Sequence, residues 1–335
     1  MPQPADHSPL RDEFVATLRL AWPLALTNVA QTGMTATDVM FMGWLGPDRL
    51  AAGALGTNLY FPFLILGIGF LSAVAPMVAR ELGRNAHSVR EVRRTAHQGF
   101  WAAMILSIPS LAILWNAQPI LIAFGQEPRL AADAASYVRA MMWSLPLFLL
   151  FVAMRSFVSA LERPGAALAA VLVAFLVNAA ANYALVFGHF GFPRLELVGS
   201  GLATTIAVAV MFAVIAGLAT MDRRMRRYHV FGRFWRADGA RLAELTRLGL
   251  PLGLTLFFES SVFYAAVFLM GIIGASSLAA HSIAIQIASL TFMIPLGLAQ
   301  AASVRVGRAF GAQDAAGVRR AGWIAFGLGL GAMAI

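Results

Sequence analysis

The chain has 335 residues, of which 59% are hydrophobic and only 12% are charged. This balance excludes an ordinary soluble domain and predicts an all-α, multi-pass membrane protein. The formal net charge of +9 is carried by arginine without any lysine, but the arginines lie in short patches between apolar runs, so we expect no nucleic-acid partner. The lack of cysteine excludes disulfides, thiolate metal sites and cysteine nucleophiles.

Apolar runs of about 20 residues or more are long enough to cross a bilayer as helices. They cover roughly residues 14–45, 52–79, 96–124, 131–160, 165–188, 197–220, 245–274, 277–304 and 318–335. We interpret them as eight spans and the start of a ninth. Arginines concentrate in the even-numbered connections, where Arg155 and Arg163 are taken to flank the fourth, and no arginine is expected deep in a span. The positive-inside rule then places the N-terminus in the cytoplasm.

An internal repeat appears when the sequence is shifted by 228 residues, which lays Arg19 on Arg247 and, without a gap, Gly83 on Gly311. Six spans separate the copies, so both copies start on the same side of the membrane and the repeat is parallel, which is typical of transporters. The predicted domains are an N-terminal lobe of six helices (1–221), a basic cytoplasmic linker (222–244) and an incomplete C-terminal lobe (245–335) with two helices and the start of a third.

The predicted linker is rich in arginine and adjoins a span. Such a cluster could bind anionic lipid or a partner. The alternative is a solvated segment that only sets the membrane topology, and this is the interpretation we favour from the sequence.

A polar row lies inside the first apolar run, at Asn28, Gln31, Thr35 and Asp38. Steps of three, four and three residues put these side chains on one face of a helix. The row ends in a carboxylate, and an ionisable group within a span is costly and marks an ion, proton or substrate path. The alternative is a shorter span that leaves Asp38 at the membrane interface as a solvated charge.

Asp38 and Glu259 are the acids that lie well inside apolar runs, one in each predicted lobe. Under the repeat, Glu259 falls on Gln31. A buried carboxyl can bind and release a proton, whereas Na⁺ requires several oxygen ligands around the carboxylate. We therefore expect H⁺ or Na⁺ at Asp38 or Glu259, with no other metal. The alternative for Glu259 is a carboxyl that is hydrogen-bonded within the helix bundle.

The fifth run supplies partners for Asp38. Asn178 and Asn182 are four residues apart and share a helix face, and Tyr183 follows them. Amide groups can donate to a carboxylate or ligate a cation, so a shared pocket with Asp38 is one interpretation. The other is hydrogen bonding between packed helices, which is common in membranes.

An enzyme is also considered. Gly199-Ser200-Gly201 with the distant His281 is weakly similar to an intramembrane serine protease, but Val198 occupies the place of the first glycine. The chain has no phosphate-binding loop and no cluster of metal ligands in its sequence. We therefore expect no enzyme activity.

Taken together, these residues resemble the multidrug and toxic compound extrusion family, in particular its NorM-like branch. The motifs that carry the resemblance are Gln31-Thr-Gly-Met-x-x-x-Asp38, Asn178-x-x-x-Asn182-Tyr183, and Gly191-Phe-Pro193 followed by Val198-Gly-Ser-Gly201-Leu-Ala-Thr-Thr205. Glu259 also lies where many members have a seventh-span acid. The family's tenth-span acid falls beyond Ile335, and the second lobe is expected to be truncated.

The resemblance implies two six-helix lobes around a V-shaped cavity and export of cationic or amphipathic drugs by alternating access, against an inward H⁺ or Na⁺ gradient. Cation binding at Asp38, supported by Asn178 and Asn182, would bend the first span, and Glu259 would be the second coupling acid. The expected substrate pathway comprises Asn28, Gln31, Thr35 and Tyr183. We expect a monomer in the inner membrane of a bacterium, with membrane lipid and small-molecule substrates as partners and no cofactor beyond the coupling ion.

A lipid or glycolipid flippase with a similar two-lobe fold is the alternative function. Such proteins tend to carry arginines or other charges into the central cavity. The expectation that no arginine lies deep in a span counts against this alternative.

Overall fold

The computed structural model describes residues 9–232, 238–273 and 275–334, and in that part of the chain every regular element is an α-helix. The predicted all-helical class is confirmed. The helices are α1 (Pro9–Trp44), α2 (Pro47–Ser72), α3 (Val74–Arg84), α4 (Val89–Trp115), α5 (Ala117–Ala123), α6 (Pro128–Met141), α7 (Ser144–Ala160), α8 (Gly165–Phe187), α9 (Glu196–Met221), α10 (Arg223–Arg226), α11 (Gly239–Ile273), α12 (Ala275–Gly311) and α13 (Ala315–Met333). Part of the predicted linker (233–237) and Gly274 of the turn after the seventh run lie outside the described residues.

Three of the predicted runs are broken rather than continuous. The second divides into α2 and α3 at Ala73, the third into α4 and α5 at Asn116, and the fourth into α6 and α7, which meet at a bend of 43°. Pro76, Pro119 and Pro146 each follow one of these breaks within three residues, because proline lacks the N–H that would continue the helical ladder. Among the described residues, five helical stretches are long and apolar enough to cross a membrane, or six if α6 and α7 form one span.

The two copies of the sequence repeat are in direct contact, since α1 packs on α12, α11 on α2, and α12 on α3. Their close approaches come in pairs that are related by the same shift of 228 residues. A Cβ added to Gly69 would lie 2.6 Å from the Gly253 Cα, and one added to Gly297 would lie 2.6 Å from the Ala25 nitrogen. Gly297 is the repeat equivalent of Gly69, and Gly253 that of Ala25. Such reciprocity is what a two-fold relation between the copies produces.

A second reciprocal pair of contacts joins α3 to α12. Gly83 stands against the Arg308 carbonyl, and Gly311 stands against the Arg80 carbonyl. In each case the atom opposite the glycine belongs to the backbone of the other copy, which cannot rotate away as a side chain can. Glycine at these positions therefore permits α3 and α12 to pack at backbone distance.

Ion pairs lie at the end of the bundle where α1 begins. Arg241 in the first turn of α11 lies 3.1 Å from both Glu81 of α3 and Glu91 of α4. Arg305 of α12 donates to Glu13 of α1 at 2.8 Å and to the Glu162 carboxylate at 2.9 Å. These bridges fasten α11 and α12 to the N-terminal helices.

The segment after α9 is docked against the protein. Tyr228 is 1% exposed and packs edge-on against Phe157 of α7, with 5.7 Å between the ring centroids, and the His97 ring lies 2.7 Å from the Val230 carbonyl oxygen. The arginines that directly follow α9 are exposed, as a solvated segment predicts, but buried apolar residues between and after them anchor the segment to the bundle. In addition, α11 begins at Gly239, inside the predicted linker.

Candidate functional site

Asp38 is buried near the end of α1, with 7% of its surface exposed. Its Oδ1 accepts hydrogen bonds from Nδ2 of Asn182 at 2.7 Å and from Nδ2 of Asn178 at 2.9 Å, both on α8. Its Oδ2 accepts one from the Thr204 hydroxyl on α9 at 3.0 Å. Since three helices meet at this carboxylate, the interpretation of Asp38 as a solvated interfacial charge is wrong.

Helix geometry explains why both amides reach one oxygen. Asn178 and Asn182 lie one turn apart on the face of α8 that packs along α1, so their side chains project toward the same point. The Asn182 Nδ2 also donates to the Asn178 carbonyl at 3.0 Å, which holds its side chain in place. Three donors on one carboxylate are the hydrogen-bond pattern of an ionised acid, which can only accept.

Acceptor atoms around Asp38 lack partners. Within the described part of the chain, Oδ1 of Asn178, Oδ1 of Asn182 and Oγ of Ser200 are buried and make no hydrogen bond. Leaving a buried polar atom unpaired costs about 1–3 kcal/mol. The residues on and next to the cluster thus carry carboxylate, amide and hydroxyl oxygens, the atom type that a hard cation such as Na⁺ prefers.

Asn28 and Gln31 belong to a different group. Arg155 of α7 donates through Nη1 to the Asn28 Oδ1 at 3.2 Å and, more weakly, to the Gln31 Oε1 at 3.5 Å. Arg155 is 8% exposed, and no carboxylate pairs with it among the residues that the structure describes. The polar row on α1 therefore contacts two separate sites, an arginine at one end and a carboxylate cluster at the other.

The expectation that no arginine lies deep in a span is wrong for Arg155. The sequence places it near the end of an apolar run, which suggested that it flanks a connection. In the structure α7 continues to Ala160, and the Arg155 side chain turns inward to the amide oxygens of α1. Its charge therefore belongs to the interior of the bundle and not to the loop that follows α7.

Three further predicted residues are exposed and make no hydrogen bond to Asp38 in the described part of the chain. Thr35 is exposed, although it shares the helix face of its neighbours in the row. Tyr183 is 44% exposed and stacks on His189, with 4.3 Å between the ring centroids. Glu259 is exposed on α11, which packs on α2, α3, α4 and α12, and it makes no hydrogen bond within the described residues. The alternative of a Glu259 carboxyl that is hydrogen-bonded in the bundle has no such bond to support it among the described residues.

The serine-protease alternative fails on geometry. Ser200 lies on α9 and His281 on α12. Neither the Ser200 Oγ nor the His281 Nε2 has a hydrogen-bond partner in the described chain. A serine nucleophile needs a base within hydrogen-bond reach to activate it. These two residues therefore do not form a catalytic pair.

Thr204 and Arg155 are the residues that sequence reasoning missed. Thr204 follows Ser200 by four residues on α9, the same spacing that links the two asparagines on α8, and this spacing could have predicted a polar face. Arg155 lies five residues inside the run 131–160, and that position could have indicated a buried arginine.

A bundle of apolar helices that shares one buried carboxylate among three of them has the features of an integral-membrane transporter. A sequence profile of the MatE family matches residues 23–184 and 251–335, which is more than half of the chain. The chain belongs to this family, the multidrug and toxic compound extrusion transporters, whose members are membrane transporters and not enzymes.

Similar proteins support this assignment. A protein of Mesorhizobium japonicum named "Probable multidrug resistance protein NorM" is 54% identical over 325 residues, which cover 97% of this chain and 70% of the relative. A protein of Brucella suis with the same name is 49% identical over 323 residues, covering 96% and 69%. The crystal structure of the eukaryotic MATE transporter AtDTX14 has a TM-score of 0.84 at 19% identity, covering 94% of this chain and 69% of that one, and shows the same fold.

Proposed function

We propose that the protein is a secondary active multidrug exporter, which expels cationic or amphipathic compounds while H⁺ or Na⁺ moves inward. Membership of the MatE family supports transport, and the name that the bacterial relatives bear supports drugs as substrates. The observation that carries cation coupling is the buried Asp38 carboxylate, with donors from α8 and α9 and with unpaired amide oxygens beside it.

The hydrogen bonds of Asp38 supply a coupling step. While the carboxylate is ionised and free, Asn178, Asn182 and Thr204 donate to it and hold α1 against α8 and α9. A proton or Na⁺ on one oxygen of Asp38 displaces the donors from that oxygen, and where that oxygen is Oδ1 the displaced amide groups turn their unpaired oxygens toward the cation. Cation binding thus exchanges the bonds between α1 and its neighbours, and a ligand shifts a conformational equilibrium only through such differential contacts.

The finer points of architecture belong to the same proposal. The reciprocal glycine contacts support a division into lobes at 1–221 and 245–335 that are joined by the segment 222–244. The arginine-rich connections support an inner-membrane location with the N-terminus in the cytoplasm. Glu259, which is exposed on α11, would be the second coupling acid. Thr35 and Tyr183 are also exposed and would contact the substrate. The protein would act as a monomer.

Efflux of a fluorescent cationic dye from cells tests the proposal. The variant Asp38→Asn keeps the size of the side chain but removes its charge, and we expect it to abolish efflux while membrane insertion remains normal. The matched control is Asp133→Asn, a surface acid that is 46% exposed and paired with Arg49. Normal efflux by Asp38→Asn would exclude the coupling role.

A lipid or glycolipid flippase remains the second candidate, because Arg155 places a positive charge among the helices that surround α1. A headgroup phosphate would be the natural partner of an arginine that lacks a carboxylate. Translocation of fluorescent anionic lipid in proteoliposomes, without dye transport, would support this candidate over the exporter.

A further inference from the structure

The two polar sites on α1 have opposite electrostatic character. Around Asp38, the unpaired buried amide atoms are oxygens, on Asn178 and Asn182. Around Arg155, the unpaired buried amide atoms are nitrogens, the Nδ2 of Asn28 and the Nε2 of Gln31. One end of the polar row therefore presents acceptors that attract cations, and the other presents donors beside a full positive charge.

The chemistry of each centre dictates this contrast. A guanidinium group only donates, so the amides that contact Arg155 must turn their oxygens toward it and leave their N–H groups facing away. An ionised carboxylate only accepts, so the amides that contact Asp38 must turn their nitrogens toward it and leave their oxygens facing away. The polarity at each end thus follows from a single charged residue.

The separation of the sites is set by helix geometry. Asn28 and Asp38 are ten residues apart on α1, which is about 15 Å along the helix axis. On the neighbouring helices, Arg155 lies five residues before the end of α7, and Asn178 lies about 20 Å along α8, which starts beside that end. Both measures place Arg155 nearer the N-terminal end of α1 and Asp38 nearer its C-terminal end.

We propose that Arg155, with the N–H groups of Asn28 and Gln31, is an electrostatic barrier that blocks the coupling cation from passing from Asp38 toward the N-terminal end of α1. A cation that left Asp38 along the polar face of α1 would approach an uncompensated buried charge. The cation must then return along the route by which it arrived, or wait until the helices rearrange. This inference rests on the proposed function, because it presupposes cation binding at Asp38.

Cation leak in proteoliposomes tests the barrier. The full-length protein is reconstituted without drug, and inward movement of H⁺ and of radioactive Na⁺ is followed under an imposed gradient. The two sites are about 15 Å apart, and removing one unit charge at that separation predicts a leak on the order of tenfold higher for Arg155→Gln. Arg155→Lys keeps the charge, and its cation leak is expected to stay as low as that of the unmodified protein. Arg163→Gln, which removes a surface arginine that is paired with Asp222, is the matched control.

The double variant Arg155→Gln with Asp38→Asn identifies the route of the leak. The barrier predicts that loss of Asp38 suppresses the leak of Arg155→Gln, because the cations pass through Asp38. The barrier is contradicted if the cation leak persists in the double variant. It is also contradicted if Arg155→Gln exports dye but shows no increased cation leak. If Asp38→Asn alone retains cation-driven efflux, the proposed function fails instead.

Arg155→His gives an independent readout if the glutamine variant does not fold. A histidine is charged below about pH 6.5 and neutral above it. The Na⁺ leak of Arg155→His should therefore increase as the pH rises through this range, whereas the leak of Arg155→Lys should not. A pH-independent leak of Arg155→His would contradict a barrier that depends on charge.

Discussion

Gly69 of α2 packs directly on Gly253 of α11, where a Cβ added to Gly69 would lie 2.6 Å from the Gly253 Cα. Gly69→Ala should therefore destabilise the protein by roughly 1–3 kcal/mol, because the two backbones must move apart. Gly43→Ala is the matched control, since nothing lies within 4 Å of its added Cβ and alanine favours the helix. Thermal unfolding in detergent should show a lower midpoint for Gly69→Ala and an equal or higher midpoint for Gly43→Ala. Equal midpoints for the two variants would contradict the backbone contact.

The hydroxyl of Thr204 is expected to stabilise the ionised, cation-free form of Asp38. Thr204→Val keeps the shape of the side chain but removes the donor to Oδ2, whereas Thr204→Ser retains the hydroxyl. The net contribution of a hydrogen bond to a charged group, about 1.5–3 kcal/mol, predicts that Asp38 in Thr204→Val binds a proton at least tenfold more tightly, so that efflux responds to a lower H⁺ concentration. Dye efflux measured against a series of Na⁺ and H⁺ gradients checks this. Equal responses of the valine and serine variants would exclude a role for the hydroxyl.

Arg241 is expected to keep the C-terminal end of α3 and the N-terminal ends of α4 and α11 together. Arg241→Gln leaves the Glu81 carboxylate, which is 7% exposed, without one of its close positive partners. Because the buried Glu81 would keep only its more distant partners, Arg80 at 3.7 Å and Arg84 at 3.9 Å, we expect this end of the bundle to open. The chain contains no cysteine, so cysteines introduced at the exposed Ala86 and Ala312 can carry spin labels whose separation reports the opening.

The control for this opening is Arg320→Gln, which removes a 38% exposed arginine that lies 3.5 Å from Asp314. The label separation should increase in Arg241→Gln and stay unchanged in Arg320→Gln. An unchanged distribution in both variants would mean that the Arg241 ion pairs do not hold the helix ends together.

Acid should release the segment that begins α11, where Asp238 precedes Gly239. Hydrogen bonds from the Arg94 side chain and the Arg241 backbone hold the pKa of the Asp238 carboxyl below its usual value of 3.8. Because the pKa is lower in the folded protein, the stabilisation is complete above about pH 4 and is lost as the pH falls through the folded-state value. Limited proteolysis of this segment should be constant from pH 5 to 8 and should accelerate only in stronger acid. Asp238→Asn should be cleaved faster at neutral pH, and equal cleavage of the two proteins there would exclude the role of the ion pair.

The sequence was sufficient for the helices, the repeat and the family because these depend on local or collinear patterns. Apolar length predicts a span wherever it occurs, and the shift that aligned Gly83 with Gly311 also related the close contacts of Gly83 and Gly311 in the structure. The spacing of Asn178 and Asn182 was likewise sufficient to predict that both could reach one acid. Their actual contact with Asp38 required α8 to pack along α1.

The positions of the basic and the acidic site depended on which helices meet. The sequence placed Asn28, Gln31, Thr35 and Asp38 on one face of α1, but periodicity is a property of one helix and carries no information about its neighbours. The Arg155 side chain reaches one part of that face from α7, whereas α8 and α9 pack against another part, and this separated a basic site from an acidic one. Arg155 was assigned to a connection from its distance along the chain, whereas its side chain turns into the bundle. The charge inside a membrane bundle is thus set by contacts between residues more than 100 positions apart, which only the folded chain brings together.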